Sequence, residues 1–188
     1  MDGFKVNFRD FNQDAHPAGM YDAVVIGAEL RANRDNTADY LNVTYELMGD
    51  DPNGKPLTFN KRIWDIVSLK EEAAFRVLAY LKAFEIPYKE QGFQLECIVD
   101  DEDNRTYSGL KFGEPGENGN PTFVGFITDD DTVWPIIGSM VKLELAVEKR
   151  VTANGDDGDD RNTVKSVKLV TRPSGEVPSD ANSGSRFH

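Results

Sequence analysis

The sequence predicts a mainly β protein, a small antiparallel barrel with one helix after its third strand and an inserted β-hairpin or lid. Three observations lead there. Short runs of alternating apolar and polar residues recur along the chain, separated by turn-forming clusters. Only the segment around residues 68–87 has apolar residues at helical spacing. Between about residues 90 and 138 acidic and glycine-rich stretches interrupt the strand pattern, which places an insertion there.

The elements follow in order. Residues 1–18 carry Phe4, Phe8 and Phe11 and end at His16-Pro17, so they read as an arm packing on the domain of residues 19–172. "GMYDAVVIGAELR" (19–31) alternates as a first strand. Val24, Ile26, Ala28 and Leu30 take one face, and Tyr21, Val25, Glu29 and Arg31 the other. "NRDNTAD" is turn chemistry. "YLNVTYELM" is a second strand with Leu41, Val43, Tyr45 and Leu47 inward. After "GDDPNGKP" comes a third strand, "LTFNKRIW" (57–64). Ser68 stands three residues before Glu71, the spacing of a capping box, and Ala74, Val77, Leu78, Leu81 and Phe84 form the apolar stripe behind it. Pro87 helps end that helix. "FQLECIV" and "TFVGFIT" read as strands within the insertion, and Met140–Arg150 and Asn162–Thr171 as a closing pair. Residues 173–188, rich in Pro, Ser and Gly, are expected to form a disordered tail. A five-stranded OB-type barrel places its helix between strands three and four, and the helix here has that position.

Bulk chemistry narrows the function classes. The chain has 188 residues, and 39% are hydrophobic, including 11 Phe, 6 Tyr and 2 Trp, enough for a real core. Acids outnumber bases 33 to 21, which argues against a generally basic nucleic-acid coat but leaves room for a local cationic stripe. The single cysteine, Cys97, excludes a disulfide framework and a thiolate metal cluster; its neighbours Leu95, Ile98 and Val99 suggest buried filler. No run approaches the ~18 apolar residues of a membrane span, and the first residues do not read as a signal peptide. A soluble, cytoplasmic protein is expected.

Catalytic chemistry is poorly supported. The two histidines, His16 and His188, make no triad or metal site, and no phosphate-cradling glycine motif is present. The aspartate clusters at Asp100–Asp103, Asp129–Asp131 and Asp156–Asp160 lack full calcium-loop spacing and read as solvated turns. We expect no enzyme activity, no cofactor and no metal. A metal-dependent enzyme using the clustered aspartates is the weakest of the alternatives.

Basic and aromatic residues interleaved on strands remain. The stretch Val141–Thr171 sets lysines and arginines on two strands and aspartates in the loop between them. Single strands of nucleic acid bind in cationic grooves with aromatic platforms, each stacked base contributing roughly 1–3 kcal/mol. The candidate residues are Arg31, Tyr40, Lys61, Arg62, Trp64, Lys149, Arg150, Lys165 and Lys168. Each has a plainer reading: Tyr40 as a surface aromatic, Trp64 as core, and Lys149, Lys165 and Lys168 as solubilising edge lysines.

"GMYDAVVIGAELR", "DYLNVTYELMGDDPNGKPLTFNKRIW", "SLKEEAAFRVLAYLKAF" and "IGSMVKLELAVEKR…NTVKSVKLV" together resemble a family of small bacteriophage proteins encoded among replication and recombination genes. That family was long without an assigned function, and its assigned members look like OB-fold single-stranded-DNA-binding proteins. The resemblance spans about Phe4 to Thr171 and rests on the order of elements. It implies non-catalytic, largely sequence-independent binding of single-stranded DNA in the host bacterial cytoplasm. Phage or host replication and recombination proteins are then the expected partners, and a homodimer is open to the sheet edges such a barrel leaves. Two departures stand out. The insertion is strongly acidic, with nine acids against two bases over Asp100–Asp131. The tail offers only Glu176 and Asp180 before Arg186-Phe187-His188, where such proteins often end in a dense acidic segment. An alternative function follows from the first departure: an acidic protein-interaction module docking on a basic host or phage protein.

Overall fold

The computed structural model describes residues 15–36, 38–57, 61–88, 95–101, 105–149 and 160–173. Its architecture is mainly β and antiparallel. Strands β1 (Gly19–Ala32), β2 (Asp39–Met48) and β3 (Arg62–Ser68) lead into helix α1 (Ala74–Ala83). Then come β4 (Cys97–Val99), β5 (Arg105–Tyr107), β6 (Leu110–Pro115), β7 (Pro121–Ile127), β8 (Val133–Trp134), β9 (Met140–Glu148) and β10 (Arg161–Thr171). The main sheet runs β10–β9–β1–β2–β3, with β6, β7 and β8 joined to it where β7 meets β1. β4 and β5 form a separate ribbon. The sheet curls until β3 and β10 touch each other and α1, but they are not hydrogen-bonded partners, so it does not close into a barrel.

β1 shows why simple alternation misassigns a face. Tyr21, Ala23 and Val25 are buried, and so is Ala28, because a β-bulge between Val25 and Gly27 shifts the phase by one residue. The expected grouping of Val24 and Ile26 with Ala28 therefore fails over the first half of the strand. The bulge also marks a change of neighbour. β9 pairs with Gly19–Val24, β7 meets β1 at Glu29 opposite Thr122, and the backbone of Val25 bonds instead to Gly138 and Ser139. β2 is as expected, with Leu41, Val43, Tyr45 and Leu47 all in the core.

β3 begins later and runs further than the sequence suggests, and its inward positions are Ile63, Asp65 and Val67. A charged residue in an inward position breaks the apolar period, so the strand's second half looks like a loop in the sequence. The same phase turns Trp64 outward, which corrects its reading as a core residue. The capping box does not form. Ser68 closes β3, its Oγ accepts from the Lys70 amide at 3.3 Å, and a 3-10 turn at Glu71–Ala73 precedes α1 without a side-chain cap. Val77, Leu81 and Phe84 are buried as expected, joined by Tyr80, whereas Ala74 is exposed. Glu85, at φ 51°, turns the chain out of the helix two residues before Pro87.

The insertion is built into the domain. Leu110, Phe123 and Phe126 are buried in the common core, with the Phe123 and Phe126 rings edge-on at 5.1 Å. Cys97 is exposed on β4, not buried filler. Its partner across the ribbon, Tyr107, lies on the same face but deeper, where it is buried. Residues 1–14 of the arm and 174–188 of the tail lie outside the described residues. At the arm's end, Asn162 of β10 clamps the backbone of His16 through both its side-chain atoms, at 2.7 and 2.8 Å. No described helix is long and apolar enough to cross a membrane.

Gly125 allows β7 and β8 to approach. A Cβ there would lie 2.4 Å from the Trp134 carbonyl oxygen, whereas one at Gly27 would meet open space. Overpacking of this kind costs about 2 kcal/mol, so Gly125→Ala should lower Tm by roughly 4–8 °C. Gly27→Ala should leave it unchanged or raised, and thermal unfolding by circular dichroism checks both.

Candidate nucleic-acid interface

The gap between β3 and β10 is a groove made of two adjoining hollows. One, of about 380 Å³, lies between α1 (Phe75, Arg76, Ala79, Ala83) and β10 (Val164–Val167) over Asp65 and Tyr80. The other, of about 320 Å³, continues between Trp64, Ile66 and Arg76 on one side and Glu148 and Arg161–Lys165 on the other. Asp65, Arg76, Val164 and Lys165 border both.

The floor is rigid. Asp65, only 7% exposed, accepts from Arg76 Nη2 at 2.9 Å through one carboxylate oxygen and from the Tyr80 hydroxyl at 2.7 Å through the other. Tyr80 in turn meets the Tyr45 hydroxyl at 2.7 Å. Burial first, then the neighbouring Asp65 carboxylate, push both tyrosines well above their ordinary range, so the chain of hydroxyls stays protonated. Arg76, half-exposed, is thereby held with part of its guanidinium toward the groove.

The rim is apolar and cationic. Trp64 is 52% exposed and Phe75 68%, with Ile66 also open to water. Cross-strand register continues this surface over β2 and β1. Arg62 stands opposite Glu46, Trp64 opposite Thr44, Ile66 opposite Asn42, and Ser68 opposite Tyr40, which pairs with Arg31. Arg31, Tyr40, Arg62 and Trp64 thus share one face of β1–β2–β3.

The remaining predicted cations divide. Lys165 reaches the groove because a bulge between Val164 and Ser166 re-aims it, and its Nζ lies 3.0 Å from Glu148. Lys149 is exposed just beyond the end of β9. Lys61 is half-buried and alternates away from Arg62, off the shared face. Lys168 stands opposite Lys142, whose Nζ is 2.8 Å from Asp22, on the β9–β10 surface. Arg150 lies outside the described residues. Two of the predicted cations meet an acid. Arg31 is ion-paired with Glu29, and Lys165 with Glu148. Although burial pushes the Glu29 carboxyl up, hydrogen bonds from Arg31, Asn120 and Asn42 hold it below its usual range. Sequence reasoning missed Ile66, Phe75, Arg76 and Arg161. Phe75, Ala79 and Ala83 repeat every four residues beside the core stripe, with Arg76 next to them, a signal that was available.

Residues 4–111 match a family described as a protein of unknown function (DUF669). The chain belongs to that family. The DUF669 span takes in β1 to β5, α1 and the start of β6, and with them Trp64, Asp65 and Arg76. The opposite wall, Glu148 and Arg161–Lys165, lies beyond it. No curated protein matches the chain.

Two measurements test the floor. Asp65→Ala strands the Tyr80 hydroxyl and the Arg76 guanidinium, and should cost about 2–4 kcal/mol in urea unfolding, with Asp65→Asn costing less. Tyr45, Tyr80 and Tyr107 all have raised folded values. Their contribution to stability is therefore intact below the ordinary tyrosine value of 10.0 and lost as pH rises beyond it. An alkaline titration should show part of the tyrosinate absorbance appearing only with unfolding, and Tyr45→Phe should reduce that late component.

Proposed function

We propose that this protein binds single-stranded DNA without catalysis and with little sequence preference, through the β3–β10 groove and the adjoining face of β1–β2–β3. The observation that carries the reading is the exposure of Trp64, Ile66 and Phe75 beside Arg76, Arg161 and Lys165 along one groove, with Arg62 on the adjoining face two residues from Trp64. Aromatic side chains left in water cost free energy unless something covers them, and bases stack on such rings while cations follow the phosphates. The strand order supports an OB-like description. With β9 and β10 as fourth and fifth strands, the order is third, second, first, fourth, fifth, the fifth returning beside the third, with the helix after the third. The resemblance to phage single-stranded-DNA-binding proteins supports a role in phage replication or recombination, in a host bacterial cytoplasm.

Tryptophan fluorescence provides the test. Trp134 is half-buried under the Arg172 guanidinium, 4.8 Å from its ring centre, so quenching by oligo-dT should come from Trp64. Trp64→Ala should abolish the quench and weaken binding by about 1–3 kcal/mol. Affinity should fall steeply with salt, log K declining by about 0.7 per phosphate contact for each decade of salt. No affinity for oligo-dT at low salt overturns the proposal and leaves the acidic interaction module as the reading to pursue.

A further inference from the structure

Glu148, the last residue of β9, stands directly opposite Arg161, the first of β10. Arg161 Nη2 lies 3.3 Å from Glu148 Oε2, and Lys165 Nζ lies 3.0 Å from Oε1, one cation on each oxygen. Lys165 is four residues further along the strand and reaches back because it is the extra residue of the β10 bulge. Hydrogen bonds from Lys165 and then Arg161 hold the carboxyl below its usual range. All three side chains line the groove beside Trp64 and Ile66.

Resting on the binding reading above, we propose that Glu148 occupies a backbone-phosphate subsite and is the chain's own competitor for it. Surface ion pairs contribute little to stability, so two cations converging on one exposed acid, through a bulge that breaks the ladder, is a poor device for holding β9 to β10. It is a good device for holding an anion. A phosphodiester carries one negative charge, as the carboxylate does, and presents two free oxygens that can take the same two donors. Exchange of one for the other leaves each donor facing a negative oxygen, as before, and turns Glu148 out into water. The subsite is thus screened until a polyanion with stacking bases arrives, and isolated anions gain nothing by displacing the carboxylate.

The experiment compares oligo-dT binding by the natural chain, Glu148→Gln and Asp22→Asn over a salt series. Asp22→Asn is the control, because it removes the same charge from a comparable exposed pair, with Lys142, outside the groove. Glu148→Gln should tighten binding about threefold to fivefold more than Asp22→Asn does, with a steeper salt dependence. Adding Arg161→Ala and Lys165→Ala to Glu148→Gln should abolish that gain. Equal gains from Glu148→Gln and Asp22→Asn overturn the inference while leaving the binding reading standing. If neither the natural chain nor Glu148→Gln retains oligo-dT, the binding reading falls and the inference falls with it.

Discussion

A buried carboxylate on a sheet edge organises this molecule. Asp65 lies on β3 with its side chain inward, where an unpaired charge could not be tolerated. It is tolerated because α1 brings Arg76 and Tyr80 onto its two oxygens. Those residues are four apart, one helical turn, and both point to β3. The bonds draw α1 across the space where β10 would otherwise zip onto β3. The gap stays open as a groove, with a polar floor and an unpaired strand edge on each side. Asp39 repeats the device at the start of β2. It accepts from Arg105 at 3.1 Å and from the Tyr107 hydroxyl at 2.7 Å, two residues apart on β5 as a strand requires. One pairing of acid, arginine and tyrosine is realised with two periodicities, and each instance fastens a neighbouring element to the sheet.

How much of this was legible depended on whether a residue's position follows from its own polarity. β2 and the Val77–Leu81–Phe84 stripe were legible because their apolar residues sit where hydrophobic burial alone would put them. β3 was not, because Asp65 points in and Trp64 and Ile66 point out, so alternation of polarity and alternation of burial run in opposite phase. A partner eleven and fifteen residues away decides that phase, and no local window contains it. The bulge in β1 has the same character, since an extra residue leaves no mark in composition. The Ser68–Glu71 spacing suited a capping box, but the hydroxyl was already committed to the end of β3.

The candidate site was legible in part for a related reason. Residue type identified Arg31, Tyr40, Arg62 and Trp64 as material for one face, and the register of β1, β2 and β3 does put them there. Charge alone could not distinguish a lysine facing solvent from one held by an acid. Lys165 and Arg31 each have a carboxylate partner, whereas among the described residues Arg62 has no ion pair. In a chain of net charge −12 such pairing is the expected fate of a cation. A cationic groove in this protein therefore depends on which acids can be displaced.

The two paired cations differ in that respect, and the difference follows from the sheet. Glu29 is enclosed: it faces Thr122 of β7 across the ladder, and Asn42 and Asn120 add hydrogen bonds to that from Arg31. A phosphate arriving there would have to replace several fixed partners in a half-buried place. Glu148 lies at the end of a strand with its side chain 39% exposed, and its ion-pair partners Arg161 and Lys165 are exposed as well. Because β7 takes over from β9 along β1, the Arg31 end of the face is built up by the insertion while the Lys165 end is left free. The bulge that shifts the phase of β1 and marks its change of neighbour therefore leaves the more accessible of the two carboxylates at the β3–β10 groove, next to Trp64.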